Sequence, residues 1–171
     1  LWASAALPET LTGSQARATV EEAMRLQQAD GGWSLSSLGP FERSDGTPVD
    51  AASDGYATGL VTVALQSSGV TSRAYAGASL QRGLSWLRQH QGPDGSWPAS
   101  SLNKARDPES DRGRFMRDVA TSYAVLALTA ERGTVLPDHL ALGSPGALLV
   151  WPLASLVALC AVFLLIPGRH R

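Results

Sequence analysis

Two kinds of helical segment alternate along the chain. Residues 14–28 place Ala16, Val20, Ala23 and Met24 at helical spacing, with Arg17, Glu21, Glu22 and Arg25 off that stripe. This is the pattern of a helix with one buried face. Residues 74–91 repeat it, with Leu80, Leu84 and Leu87 on one face and Arg82 and Arg88 off it. The second kind carries no charge, either from Gly55 to Ser72 or from Val119 to Ala130. A helix that is uncharged all round is normally enclosed. The pattern predicts amphipathic helices near 14–28 and 74–90 and enclosed helices near 53–68 and 116–131. Thr12-Gly13-Ser14-Gln15 supplies a capping box for the first. Both uncharged segments are rich in Ala, Gly, Ser and Thr, which lets neighbouring helices approach closely. Residues 34–52 and 98–115 read as long polar loops.

The alternation is an internal repeat. Trp33-Ser34-Leu35-Ser36-Ser37-Leu38 matches Trp97-Pro98-Ala99-Ser100-Ser101-Leu102 at an offset of 64, and Ala57-Thr58 with Ala64-Leu65 recurs as Ala120-Thr121 with Ala127-Leu128 at an offset of 63. Gln28 pairs with Gln91 if one residue is inserted in the second copy. One repeat is therefore a two-helix unit. Alternating one-sided and enclosed helices imply an outer and an inner ring. The loop after each Trp falls at the same end of such a barrel, where repeat insertions often form a binding face.

Composition narrows the function. The chain of 171 residues has 14 basic and 15 acidic side chains and a net charge of −1, with no basic face interleaved with aromatics, so nucleic acid is not an expected partner. Cys160 is the one cysteine, and His90, His139 and His170 are isolated. No metal site or other cofactor is expected from such spacing. Asp45-Gly46-Thr47-Pro48-Val49-Asp50 and Asp107-Pro108-Glu109-Ser110-Asp111 lack the ligand spacing of an EF-hand and read as turns. Leu1-Trp2-Ala3-Ser4-Ala5-Ala6-Leu7 reads as the tail of a helix already under way, with the rest of the barrel upstream of residue 1.

Arg82, Gly83, Trp86, Leu87, Gln91, Gly95 and Trp97 together resemble the QW motif of triterpene cyclases: a basic residue, Gly, an aromatic, Leu, Gln and then Gly-x-Trp. A second copy keeps Gln28, Gly31 and Trp33 and has Ala23-Met24 where the aromatic-Leu pair would be. The resemblance, to the squalene–hopene cyclase type, covers residues 1–132. It implies an all-α fold, part of an α/α toroid in which these residues tie outer helices together. It also implies an isomerase parent that cyclises a polyprenyl chain, with an apolar isoprenoid as ligand. The family's acid motif, Asp-x-Asp-Asp, is not in this chain; Asp50 and Asp54 are the nearest acidic pair. The related prenyltransferase β subunit holds zinc with Asp, Cys and His, and no Cys precedes residue 160.

Asp54 and Asp118 stand where the uncharged helices begin and read first as N-terminal caps. Their sharper reading places them at the barrel mouth. Tyr56 and Tyr123 read as core aromatics, or as rings lining a cavity that face a carbocation.

Residues 133–146 read as a linker. The uncharged apolar run 147–167 is long enough for a bilayer core of ~30 Å and is expected to be a transmembrane helix, with a buried terminal helix as the alternative. Arg169, His170 and Arg171 in the tail 168–171 point to a cytoplasmic C-terminus and an extracytoplasmic toroid. The functional expectation is the C-terminal repeats of a cyclase-like protein. The alternatives are a non-catalytic, membrane-tethered toroid that binds a lipid or protein, and an α/α-barrel glycan enzyme with paired carboxylates.

Overall fold

The computed structural model describes residues 10–68 and 74–131 together with residues 1, 3, 4 and 7. The chain divides into two units, Leu1–Gly133 and Thr134–Arg171, and every described residue belongs to the first. The expected linker, apolar span and basic tail lie outside the described residues. Among the described residues no helix is long and apolar enough to cross a membrane.

Four helices carry the fold, with no strand among the described residues: α1, Gly13–Arg25; α2, Gly55–Ser67; α3, Ala74–Gln89; and α4, Asp111–Glu131, with a short 3-10 turn at Leu35–Leu38. The fold is all-α, as its patterning predicts. The capping box at α1 forms: Thr12 Oγ1 accepts from Gln15 N–H, and Gln15 Oε1 accepts from Thr12 N–H at 2.8 Å. The exchange satisfies two of the donors left over at a helix start. Val20 on α1 and Leu80, Leu84 and Leu87 on α3 are buried. The charged positions Arg17, Glu21, Glu22, Arg25, Arg82 and Arg88 face water.

α2 packs most extensively against α4 and next against α3. Its uncharged sequence is explained by burial, since Ala57, Thr58, Gly59, Val61, Thr62, Val63 and Leu65 are all enclosed. Gly59 sets the closest approach, because a Cβ there would lie 2.8 Å from Ala124 N and 2.9 Å from Tyr123 C on α4.

α4 departs from expectation in two ways. It begins at Asp111, well before residue 116, because Ser110 caps it through Gly113 N–H at 3.1 Å and Asp111 places an acid in the first turn. It is also enclosed on one side only: Ala120, Tyr123, Ala124 and Ala127 are buried, whereas Phe115, Val125 and Leu126 are 46%, 46% and 52% exposed.

Alanine in place of glycine within a helix normally stabilises by about 1 kcal/mol. Gly59→Ala should do the reverse, lowering the unfolding free energy by about 1–3 kcal/mol as α2 and α4 are forced apart. Gly13→Ala, with nothing within 4 Å of the added carbon, should be neutral or slightly stabilising. Denaturant unfolding measures both, and a neutral Gly59→Ala would contradict this packing.

Candidate functional site

Each amphipathic helix ends in carbonyls with no intrahelical partner, and in both copies a tryptophan indole takes one of them. Trp33 Nε1 donates to Ala23 O at 2.6 Å, and Trp97 Nε1 donates to Leu87 O at 2.7 Å. The reversal that brings each indole back requires positive φ two residues earlier, supplied by Gly31 at 91° and Gly95 at 83°. An amide closes each turn: Gln27 Nε2 donates to Gly31 O at 2.8 Å, and Gln91 Nε2 to Gly95 O at 2.9 Å. Within the turns Asp30 Oδ1 accepts from Gly32 N–H, and Asp94 Oδ1 from Ser96 N–H, both at 3.0 Å. The backbone of each Trp is then tied to the next helix, Trp33 N–H to Thr58 Oγ1 at 3.0 Å and Trp97 N–H to Thr121 Oγ1 at 3.2 Å.

This geometry corrects the sequence register. Gln28 N–H donates to Gly32 O as Gly92 N–H donates to Ser96 O, so Gln28 occupies the position of Gly92. The residue equivalent to Gln91 is Gln27, and no insertion separates the copies. Gln28 has a different task, donating from Nε2 to Ala51 O at 2.7 Å.

The first turn docks on α3. Arg82 and Ser79 both donate to Gln27 Oε1. Trp86 Nε1 donates to Asp30 Oδ2 at 3.0 Å. The indole of Trp33 lies over Gly83, where a Cβ would come within 2.7 Å of the ring. Burial alone would raise the Asp30 carboxyl, but hydrogen bonds from Gly32, Ser53 and Trp86 outweigh it and hold the group below the usual carboxylate range. Trp86 also stacks on His90, with ring centroids 4.1 Å apart. Arg82, Gly83 and Trp86 thus meet Gly31 and Trp33 in one structural seam, while Leu87, Gln91, Gly95 and Trp97 form the second turn at the end of the same helix. Gln27, Asp30 and Ser79 belong to the seam and were missed. Counting strictly by 64 from Asp94 and Gln91 would have found the first two.

Asp54 is buried at the start of α2. Its Oδ1 accepts from Ala57 N–H at 2.9 Å and its Oδ2 from Leu35 N–H at 2.8 Å, so both oxygens are engaged by backbone. Burial pushes the carboxyl up to about 6, against the opposing pull of those N–H groups. Asp118 is not a cap: α4 begins at Asp111, and Asp118 lies within the helix, exposed. Tyr56 and Tyr123 meet edge-to-face across the α2–α4 contact, with centroids 5.4 Å apart. They serve packing between helices.

Two clefts accompany these elements, each of about 560 Å³. One lies between the second turn, the loops after each Trp and α4, with the charged or ionisable side chains Arg43, His90, Asp94, Arg106 and Arg117 in its wall. The loops do lie side by side: Ser44 N–H donates to Asn103 O at 2.8 Å and Arg43 Nε to Ser101 O at 2.9 Å. Asp45 accepts from Thr47 and from Ala105 N–H, and chiefly the Thr47 hydroxyl lowers its carboxyl to about 2. These are turn contacts, and among the described residues no group of three or more His, Cys, Asp or Glu could hold a metal ion. The other cleft is lined by Val63, Gly77, Leu80, Leu84 and Ala130 together with Gln66, Ser67 and Gln81. Beside it Thr62 Oγ1 and Gln66 Oε1 are buried with no hydrogen-bond partner among the described residues. No known protein family, characterised protein or solved structure matches the chain.

Trp97 is 2% exposed, and Trp97→Ala should cost about 3–5 kcal/mol in an unfolding titration; a loss below about 1 kcal/mol would mean that the turn holds no helices together. Asp54 gives a pH signature. Its folded carboxyl titrates near 6 and its unfolded one near about 4, so the native state binds the extra proton between those values. The stability it contributes should be fully present below about 4 and decline as pH rises to about 6, with no further change above. Asp54→Asn should remove that slope, and an identical pH profile in the variant would contradict the assignment.

Proposed function

We propose that residues 1–132 are consecutive two-helix repeats of an α/α toroid similar to the squalene–hopene cyclase type, and that they wall and enclose a ligand cavity without performing the reaction. The observation that carries this reading is the repeated Gly-x-Trp turn. Its Trp closes a helix end, its Gln and Gly hold the turn, and the first copy is joined in series to the outer-type helix of the second. The amphipathic helices α1 and α3 would form the outer ring and α2 and α4 the inner one. An apolar isoprenoid is the ligand class that suits the cleft of Val63, Leu80, Leu84 and Ala130. The protonating group of a cyclase parent would lie outside this chain, since Asp54 has both oxygens engaged. The apolar run 147–167 would tether the repeats to a membrane, with the C-terminus cytoplasmic.

A second reading, a non-catalytic toroid that binds a protein, draws on the charged side chains Arg43, Arg106 and Arg117 in the wall of the other cleft. Full-length chain in mild detergent, titrated with a fluorescent isoprenoid, separates the two. Saturable binding that Ala130→Trp abolishes by filling the cleft beside Leu80 and Leu84 is the expected result. Absence of saturable binding, or binding indifferent to Ala130→Trp, would refute the isoprenoid assignment. With squalene as substrate, mass spectrometry should detect no cyclised product, and any hopene-like product would overturn the wall-only role.

A further inference from the structure

The two turns are built alike, but only the first is covered. Gln27 takes Ser79 and Arg82 on its Oε1, Asp30 takes Trp86 on its Oδ2, and a Cβ on Gly31 would meet Arg82 at 3.1 Å. In the second turn Gln91 and Asp94 are exposed. Asp94 accepts at Oδ1 from Ser96 N–H and Oγ, while its Oδ2 accepts no hydrogen bond among the described residues. A Cβ on Gly95 would meet nothing nearer than Gln91 Nε2 at 3.8 Å.

The neighbouring helix is open in the same sense. α2 presents Tyr56, Gly59 and Gln66 to α4: Tyr56 to the Tyr123 ring, Gly59 to the Tyr123–Ala124 backbone, and Gln66 Nε2 to Ala127 O at 2.9 Å. Sixty-three residues on, the offset of the uncharged helices, positions 56, 59 and 66 of α2 become Val119, Ser122 and Thr129 of α4, with Leu126 one turn beyond Ser122 on the same side. Ser122 and Leu126 are exposed, and so is Phe115. Phe115, Val119, Ser122 and Leu126 follow a 4-3-4 spacing, the seam of a helix pair, with the small Ser122 at the place where Gly59 lets two backbones close.

We propose that the second turn and this face of α4 form one docking surface for a helical hairpin of a partner protein. Its first helix carries a hydroxyl residue, an arginine and a tryptophan at positions i, i+3 and i+7. The pattern is that of Ser79, Arg82 and Trp86. The arginine bonds Gln91 Oε1, the tryptophan Nε1 bonds Asp94 Oδ2, and the second helix packs along Val119, Ser122 and Leu126. A second copy of this chain does not fit through its first helix, because α1 has Gln15, Ala18 and Glu22 at those positions and Glu22 would face Asp94. Nor does it fit through α3, whose Ser79, Arg82 and Trp86 are already taken by its own first turn. The proposal stands on the repeat geometry and not on the isoprenoid reading.

The test uses the full chain in mild detergent and a helix-stapled, fluorescein-labelled peptide of residues 74–91, read by anisotropy. Saturable binding is expected. Asp94→Asn keeps Oδ1 for Ser96 but turns the second acceptor into a donor, so it should weaken binding at least about tenfold. Trp86→Phe in the peptide should cost as much, and the two changes together little more than either alone. Leu126→Glu on the chain should leave the peptide bound but abolish binding of a fragment of residues 74–131, in which the helix with Ser79, Arg82 and Trp86 comes first and the helix that packs on Tyr56 and Gly59 comes second. No saturable binding, binding indifferent to Asp94→Asn, or self-association that buries Leu126 and ignores Asp94→Asn would each overturn the proposal. Asp30→Asn is the internal control. It should lower the melting temperature and leave the peptide affinity unchanged, so its silence would indict the repeat geometry itself.

Discussion

A helix that stops leaves carbonyls without partners, and the fold turns on how two such ends are closed. In each copy an indole N–H reaches back ten residues to the last turn of the amphipathic helix, to Ala23 O and to Leu87 O. A buried carbonyl left unpaired costs about 1–3 kcal/mol. The same tryptophan brings a large apolar surface with its one donor, so a single side chain closes the helix end and fills the space beneath it. Both indoles are almost fully buried. The uncharged helices follow from this, because each Trp backbone is held by a threonine on one of them, Thr58 or Thr121. These two threonines are thus latches between a turn and the next helix.

Serial connection is the second consequence. The first turn meets the next amphipathic helix through Asp30, Gln27 and Gly31, and that helix answers with Trp86, Ser79, Arg82 and the bare surface of Gly83. A glycine inside a helix is normally a cost of about 1 kcal/mol; at position 83 it makes room for the ring of Trp33. The Gly and aromatic of the motif therefore serve the preceding repeat, while its Gln, Gly and Trp serve its own helix end. The first copy lacks the Arg-Gly and aromatic positions, and among the described residues no earlier turn docks on α1.

Much of this was legible from spacing. Period and charge placed four helices, because burial on one face or on all faces leaves a plain mark on the residue pattern. The Gly-x-Trp signature placed the turns. What hid the register was that Gln27 and Gln28 are both glutamines: strict counting by 64 makes Gln27 the counterpart of Gln91, and the hydrogen bonds agree. The start of α4 was hidden too. Its first two turns carry Arg112, Arg114, Arg117 and Asp118, charges that resemble a loop but sit at exposed or half-buried positions of the helix. Asp118 lost its expected capping role for that reason, whereas Asp54 kept it because Asp54 precedes a helix that is buried from its first residue.

The central claim is that successive repeats are joined by a side-chain pair, Asp30 with Trp86, at 3.0 Å. A double-mutant cycle of Asp30→Asn and Trp86→Phe, followed by denaturant unfolding, measures that pair alone, since Asp30→Asn keeps the acceptor for Gly32. A coupling energy of about 1 kcal/mol or more is the result this account predicts, and strictly additive losses would contradict it.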